Sequence, residues 1–249
     1  MEQNRFQQYS GTQTVSYGTK APSLSVHSYA ARTFGWMFLG LLITFGIAAA
    51  LAYTGVMTNL LQNVRGLSIA VLLLPVLAMF VVSIILGVRL QKMRVATARL
   101  LFLIYSALMG ITMSFYFVYF DVRSVVVALG ISALFFGTLA ALAYFMKWEL
   151  SGIGPILFAG LLALVVLTIV QIFLRQPMLQ TIISYIAVAI FLGYTAYDTA
   201  KIRGIYYTYV NNDAAMLEKA SIFAAFQLYL DFLNLFIHIL QLMGNKNSN

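Results

Sequence analysis

The chain has 249 residues, of which 62% are hydrophobic and only 9% charged, with a formal net charge of +8. Its mean hydropathy is +0.91. Soluble domains carry about 25% charged residues to cover their surface, so this composition excludes an ordinary soluble enzyme and a free nucleic-acid-binding module. It points instead to one integral membrane domain. The chain has no cysteine, which removes disulfides, thiolate metal sites and cysteine nucleophiles.

Residues 1–33 read as a polar arm rich in Gln, Ser, Thr and Tyr. No basic stretch directly precedes the first apolar run, so a cleaved signal peptide is not expected. A helix needs roughly 20 apolar residues to cross the hydrocarbon. Seven windows meet that length: 34–53, 67–88, 100–120, 124–146, 153–174, 178–200 and 220–243. Spanning strands would be only about 9–11 residues long and would alternate in polarity. The expected fold is therefore all-α, with a seven-helix transmembrane domain over 34–244 and a short tail at 245–249. Residues 121–123, 147–152 and 175–177 are expected as tight turns, and 54–66, 89–99 and 201–219 as longer loops. Pro75 falls inside the second window, where it removes a backbone donor and should kink the helix. Pro155 opens the fifth, where proline is tolerated. Ala133, Gly137 and Ala141 repeat every four residues, a spacing that suits close helix–helix contact.

The basic charge follows the positive-inside bias rather than a nucleic-acid footprint. If alternate loops share one side, eleven Lys and Arg fall on the side of the N-terminus: Arg5, Lys20, Arg32, Arg89, Lys92, Arg94, Arg99, Lys147, Lys201, Arg203 and Lys219. Four fall on the other side, at Arg65, Arg123, Arg175 and Lys246. The N-terminus is expected in the cytoplasm, and seven spans then put the C-terminus outside.

Only two charged residues lie within the windows, Asp198 in the sixth and Asp231 in the seventh. An acid at a helix centre costs about 2.5–3.5 kcal/mol on insertion scales, and such residues usually mark a pathway or a proton relay. The midpoint between the two falls between Ala214 and Ala215, inside the expected 201–219 loop. Equal distances from a hairpin turn predict similar depths, so the two carboxyls are expected to approach. Two close carboxylates cannot both ionise cheaply, so such a pair shares a proton and titrates as a unit. That makes the pair a candidate pH sensor and gate. The seventh window adds Gln227, Asn234, His238 and Gln241, which with Asp231 are spaced 4, 3, 4 and 3 and so form one helix face. A polar stripe on an apolar helix should turn inward, which predicts a central last helix. A satisfied interhelical network without transport is the plainer alternative, and His238 reads as a hydrogen-bonded core residue rather than a metal ligand.

Zinc-protease, nucleophile-elbow and phosphate-loop motifs are all missing. Two aspartates on neighbouring spans would also suit an intramembrane aspartyl protease, a reading that geometry alone leaves open. The run Gly193-Tyr-Thr-Ala-Tyr-Asp198-Thr-Ala-Lys201-Ile resembles the sixth-helix signature of the Bax inhibitor family, and Leu228-Tyr-Leu-Asp231-Phe-Leu-Asn234-Leu-Phe resembles its seventh. Phe34-Gly-Trp-Met, Tyr105-Ser-Ala-Leu-Met-Gly and Glu149-Leu-Ser-Gly are similar to stretches in bacterial members. The likeness covers about residues 25–244. It implies seven helices with the last wrapped by the other six, and a pH-sensitive calcium leak with Asp198 and Asp231 as the sensor. It also implies a basic latch at the inner end of the second helix, for which Arg89 is the nearest candidate and Lys92 the next. The acid that some members carry inside the second helix is absent, as is the basic tail of animal members.

The expectation is thus a cation leak channel in a bacterial inner membrane, with Ca²⁺ as the ion carried. Asp198 and Asp231 would form a transient Ca²⁺ site, together with Asn234, Gln227 and water. No enzymatic activity, cofactor or nucleic-acid partner is expected. The alternative is a non-conducting regulator that binds another membrane protein, such as a protease or a cell-death factor.

Overall fold

A computed structural model of the chain describes residues 24–63, 67–146, 150–211 and 213–243. Parts of the expected N-terminal arm, the 54–66 and 147–152 connections and the C-terminal tail lie outside these residues, among them Lys147, Glu149 and Lys246. The described chain is helical: α1 (Val26–Tyr53), α2 (Val56–Asn63), α3 (Leu67–Arg89), α4 (Val95–Tyr119), α5 (Val122–Phe145), a 3-10 turn (Ser151–Ile153), α6 (Gly154–Leu174), α7 (Pro177–Tyr209) and α8 (Ala214–Met243). Six of these, α1 and α4–α8, are long and apolar enough to cross a membrane, and the described apolar part of α3, Leu73–Arg89, is shorter. Among the described residues there is no extended strand.

Two of the expected loops are largely helical. The 54–66 connection contains α2, entered through Gly55, whose φ of +69° is the left-handed turn that glycine makes without strain. The expected 201–219 loop shrinks to the residues between Tyr209 and Ala214. Apolarity marks where a helix leaves the hydrocarbon, not where its backbone hydrogen bonds stop, so both helices run on into polar sequence. Asp213 starts α8 by accepting a hydrogen bond from Met216 N at 2.8 Å.

Capping explains the other ends. Ser25 accepts from Ser28 N ahead of α1. Asp121 accepts from Ser124 N and Ser124 Oγ ahead of α5, and these bonds hold its carboxyl below the usual carboxylate range. Arg175 closes α6 in the left-handed region at φ 51°, and Pro177 starts α7, where a missing N–H costs nothing. Pro75 lies within α3, and the helix continues through it.

The core gathers around α8. In its most apolar stretch 67% of residues are buried, against 6% in α6. It packs against α1, α4, α5 and α7, while α3 leans on α4 and α6 on α7. Hydrophobicity does not drive helices together in lipid, so fit and hydrogen bonds must. Hydroxyl bridges tie α1 to α8: Thr44 Oγ1 to the Tyr229 hydroxyl at 2.6 Å, and Thr33 Oγ1 to Ser221 Oγ at 2.9 Å. Rings of Phe102, Tyr105, Phe226 and Tyr229 meet edge to face beside them.

The tightest seam joins α1 and α4. A Cβ at Gly110 would sit 2.8 Å from Ile47 Cβ and 2.9 Å from the Thr44 carbonyl oxygen. The small-residue stripe of α5 behaves differently from expectation. Ala133, Gly137 and Ala141 face outward, and α5 buries Ala128, Ser132, Phe136, Ala140 and Tyr144 instead. The spacing was right for a contact face, but the bulkier adjacent stripe fills the space against α7 and α8.

These contacts yield a paired expectation. Gly110→Ala should lower stability by about 1–3 kcal/mol, the usual cost of overpacking, because backbone rather than a flexible side-chain tip stands in the way. Gly137→Ala, with nothing within 4 Å of its Cβ, should cause no loss. Thermal unfolding in detergent measures both, and equal behaviour of the two would contradict the α1–α4 packing.

Candidate functional site

Asp198 on α7 and Asp231 on α8 are both buried, at 6% and 5% exposure. They sit where the last two helices pack on each other. Asp198 and Asp231 do not stand at equal distances from the turn that joins α7 to α8. With α7 ending at Tyr209 and α8 beginning at Ala214, the residue mirroring Asp198 is Ala225. Asp231 lies six residues further on, or about 9 Å along the axis. The carboxyls nonetheless fall within electrostatic reach of each other. One oxygen of each, Asp198 Oδ1 and Asp231 Oδ2, is buried with no hydrogen-bond partner among the described residues. Tyr194 lies within reach of both acids, and Lys201, one turn along α7, within reach of Asp198.

The polar stripe occupies a distinctive side of α8. Every residue from Lys219 to Leu240 is buried except Phe223, Gln227, Leu230, Asn234, Ile237 and His238. These recur at helical spacing and form one incompletely covered face, which continues to Gln241. The four uncharged stripe residues all fall on it. Asn234 donates through Nδ2 to the Leu230 carbonyl at 2.8 Å. His238 stacks on Phe191 and lies 3.4 Å from Ser184 Oγ through Nδ1. Gln241 Oε1 accepts from Gln180 Nε2 at 2.9 Å and Ser184 Oγ at 3.0 Å, which closes the far end of the seam. Gln227 is half-buried at the other end.

The opposite end of the molecule collects arginines. Glu218 Oε1 pairs with Arg32 of α1 at 2.8 Å and also with Arg99 of α4. Arg99 lies over the Trp36 ring as well. Lys219 is buried and donates from Nζ to the Gln91 carbonyl at 2.8 Å, just past the end of α3. Arg203 of α7 donates to the Tyr144 carbonyl at the end of α5. The start of α1, the ends of α3, α5 and α7 and the starts of α4 and α8 therefore share this end. Arg89 is exposed at the end of α3, and no ion pair joins it to Asp198 among the described residues. Sequence reasoning missed the Glu218 clamp. The available signal was that Glu218 and Lys219 are the only charges between Ala214 and Leu230. Their partners, far away in the chain, had none.

No group of three or more His, Asp or Glu able to hold a metal occurs among the described residues. Comparison with known proteins places this arrangement. The family described as "Inhibitor of apoptosis-promoting Bax1" matches residues 26–248. The chain belongs to the Bax inhibitor family. The Escherichia coli inner membrane protein YbhL is 34% identical over 225 residues, covering 90% of this chain and 94% of that one. An uncharacterized protein of Deinococcus radiodurans is 34% identical over 223 residues, covering 90% and 92%. The Rickettsia prowazekii protein RP147 is 28% identical over 240 residues, covering 96% and 99%. This is a membrane protein of a family with bacterial members.

Glu218→Gln tests the clamp. Partly exposed ion pairs contribute about 0.2–1 kcal/mol each, so losing two should cost about 1 kcal/mol at low salt. The loss should shrink in high salt, where screening has already weakened the parent. Thermal unfolding of parent and variant across salt concentrations reads this, and a salt-independent difference would show that the charges are not what matters.

Proposed function

We propose that the protein is a cation leak pathway of the bacterial inner membrane, with Ca²⁺ as its cargo and the Asp198–Asp231 pair as its proton-responsive gate. The observation that carries this reading is the half-open polar face of α8, which starts beside two buried carboxyls and ends at the Gln180–Ser184–Gln241 hydrogen bonds. A helix wrapped by its neighbours has no reason to leave its polar side least covered unless that side is used. Calcium takes six to eight oxygen ligands. The two carboxyls, the amide oxygen of Asn234 and Gln227 offer fewer, so water must complete the shell. Such a site binds weakly and releases readily, as conduction requires. Two carboxylates close together in low dielectric resist ionising together, so protons compete with the ion for the same oxygens. Lys201 and Tyr194 are the other titratable groups within reach, and Lys201 is the cation nearest to acting as a latch on Asp198. Arg89 would serve that role only in a state where α3 has moved towards α7.

The proposed topology has seven crossings, with α3 as the seventh, α8 as the axis, the N-terminus inside and the C-terminus outside. The gathering of Arg32, Arg99, Arg203 and Lys219 at one end supports it, since such residues concentrate on the cytoplasmic side. A label at Thr12 should be reached only from the cytoplasm and one at Asn247 only from outside. Both ends on one side would remove one crossing.

The gate is tested by Ca²⁺ flux through purified protein in liposomes between pH 5 and 8. Asp198→Asn and Asp231→Asn should each abolish or strongly flatten the pH response while the protein still inserts. The double variant should add little, because the residues act as one unit. If both single variants keep the parent's full response, the aspartates are structural. The second reading, a non-conducting regulator of another membrane protein, draws its support from the description the family carries. It predicts no flux from the parent itself in pure liposomes.

A further inference from the structure

On the flank of α8 that carries no polar stripe, α1 and α5 diverge and leave a cleft of about 550 Å³. The buried Ala30, Met37, Phe136 and Ala140 line its depth, and the exposed Ala31, Phe38, Gly137, Ala141 and Phe145 line its open side. A Cβ on Gly137 would meet nothing within 4 Å, so the space beyond it is open. From His27 to Phe38 the cleft runs about 16 Å along α1, at 1.5 Å per residue. Half of the roughly 30 Å hydrocarbon layer is about 15 Å. The cleft therefore has the depth of a single leaflet.

Its mouth lies at the arginine-rich end and is polar. The Tyr144 hydroxyl and His27 Nδ1 are hydrogen-bonded at 3.0 Å. The Arg203 guanidinium lies over the Tyr144 ring, 4.6 Å from its centroid, and gives one hydrogen bond to the Tyr144 carbonyl at 2.6 Å. That bond caps the last turn of α5 and uses one of the five N–H donors that a guanidinium carries. Arg32 and Arg99 share Glu218, but no described carboxylate pairs with Arg203, and its Nε is buried without a partner. A cation that pairs with no described carboxylate thus stands beside Tyr144, at the polar end of an apolar slot one leaflet deep.

We propose that this cleft is a binding site for one anionic phospholipid, with an acyl chain between α1 and α5 and the headgroup phosphate on Arg203. Tyr144 and His27 suit the boundary between chain and headgroup, where amphipathic rings collect. A helix of a second copy would also fit against the small residues of α5. It would bring no anion to Arg203, which no described carboxylate pairs, whereas the lipid phosphate supplies one through the geometry guanidinium favours.

The test uses full-length protein in detergent, supplied with phosphatidylglycerol or phosphatidylcholine of identical chains. Native mass spectrometry counts retained lipid, and thermal unfolding reads the effect on stability. The parent should retain one phosphatidylglycerol in preference to phosphatidylcholine and gain melting temperature from it. Arg203→Gln should remove the preference between headgroups. Gly137→Leu and Ala141→Leu, which fill the slot, should remove retention of both lipids. If loss of the α5 cap unfolds Arg203→Gln, the two filling variants still decide the matter. A parent with no headgroup preference, or filled variants that retain lipid as the parent does, would overturn the site. So would a parent dimer that the filling variants convert to monomer with lipid retention unchanged, because the occupant would then be a second chain.

Discussion

The burial of Asp231 constrains everything around it. A carboxyl inside a bilayer is tolerated only where protein, not lipid, surrounds it. Here α8 packs against α1, α4, α5 and α7, while α3 leans on α4 and α6 on α7. Because apolar side chains gain nothing from leaving lipid for protein, the enclosure is fastened by other means. Hydroxyl bridges, edge-to-face rings and the glycine contacts of α1 with α4 hold the middle. At the arginine-rich end, Glu218 joins α8 to α1 and α4.

The two flanks of α8 are dissimilar. On one, the polar face runs between the aspartates and Gln241, with Phe191 and Ser184 of α7 against it. On the other, Phe232 packs against Phe45 and Phe136, and the gap beyond opens to lipid rather than to a polar path. Arg203 and Asp198 stand five residues apart on α7, so the same helix contributes to both.

The sequence displays the membrane fold openly because lipid selects for it: each long helix covers its apolar window nearly end to end. The expected loop at 201–219 failed because hydropathy reports depth in the bilayer, whereas Lys201–Tyr209 and Ala214–Lys219 are helical outside it. The aspartates and the stripe were visible because charge and amide groups are rare in such runs. Glu218 could be seen, but not its partners, since Arg32 is 186 residues away and Arg99 is 119. The stripe of Ala133, Gly137 and Ala141 showed the right chemistry for close approach and concealed its direction, which the neighbouring Phe136 and Ala140 decide. A cleft is a gap between helices distant in sequence, and no local pattern encodes it.

The length of α7 bears on how the protein sits in its membrane. Its 33 residues measure about 50 Å, well beyond a hydrocarbon layer of about 30 Å. The overhang at the arginine-rich end holds Lys201, Arg203, Tyr206, Tyr207 and Tyr209, the residue types that anchor a helix at the headgroup level. Hydrophobic mismatch is then absorbed at the other end of α7, by tilt, while Asp198 keeps a fixed distance from the anchored surface. Glu218 and Lys219 tie α8 at the same end, so Asp231 keeps its depth as well, and a change in bilayer thickness leaves the register of the two acids unchanged.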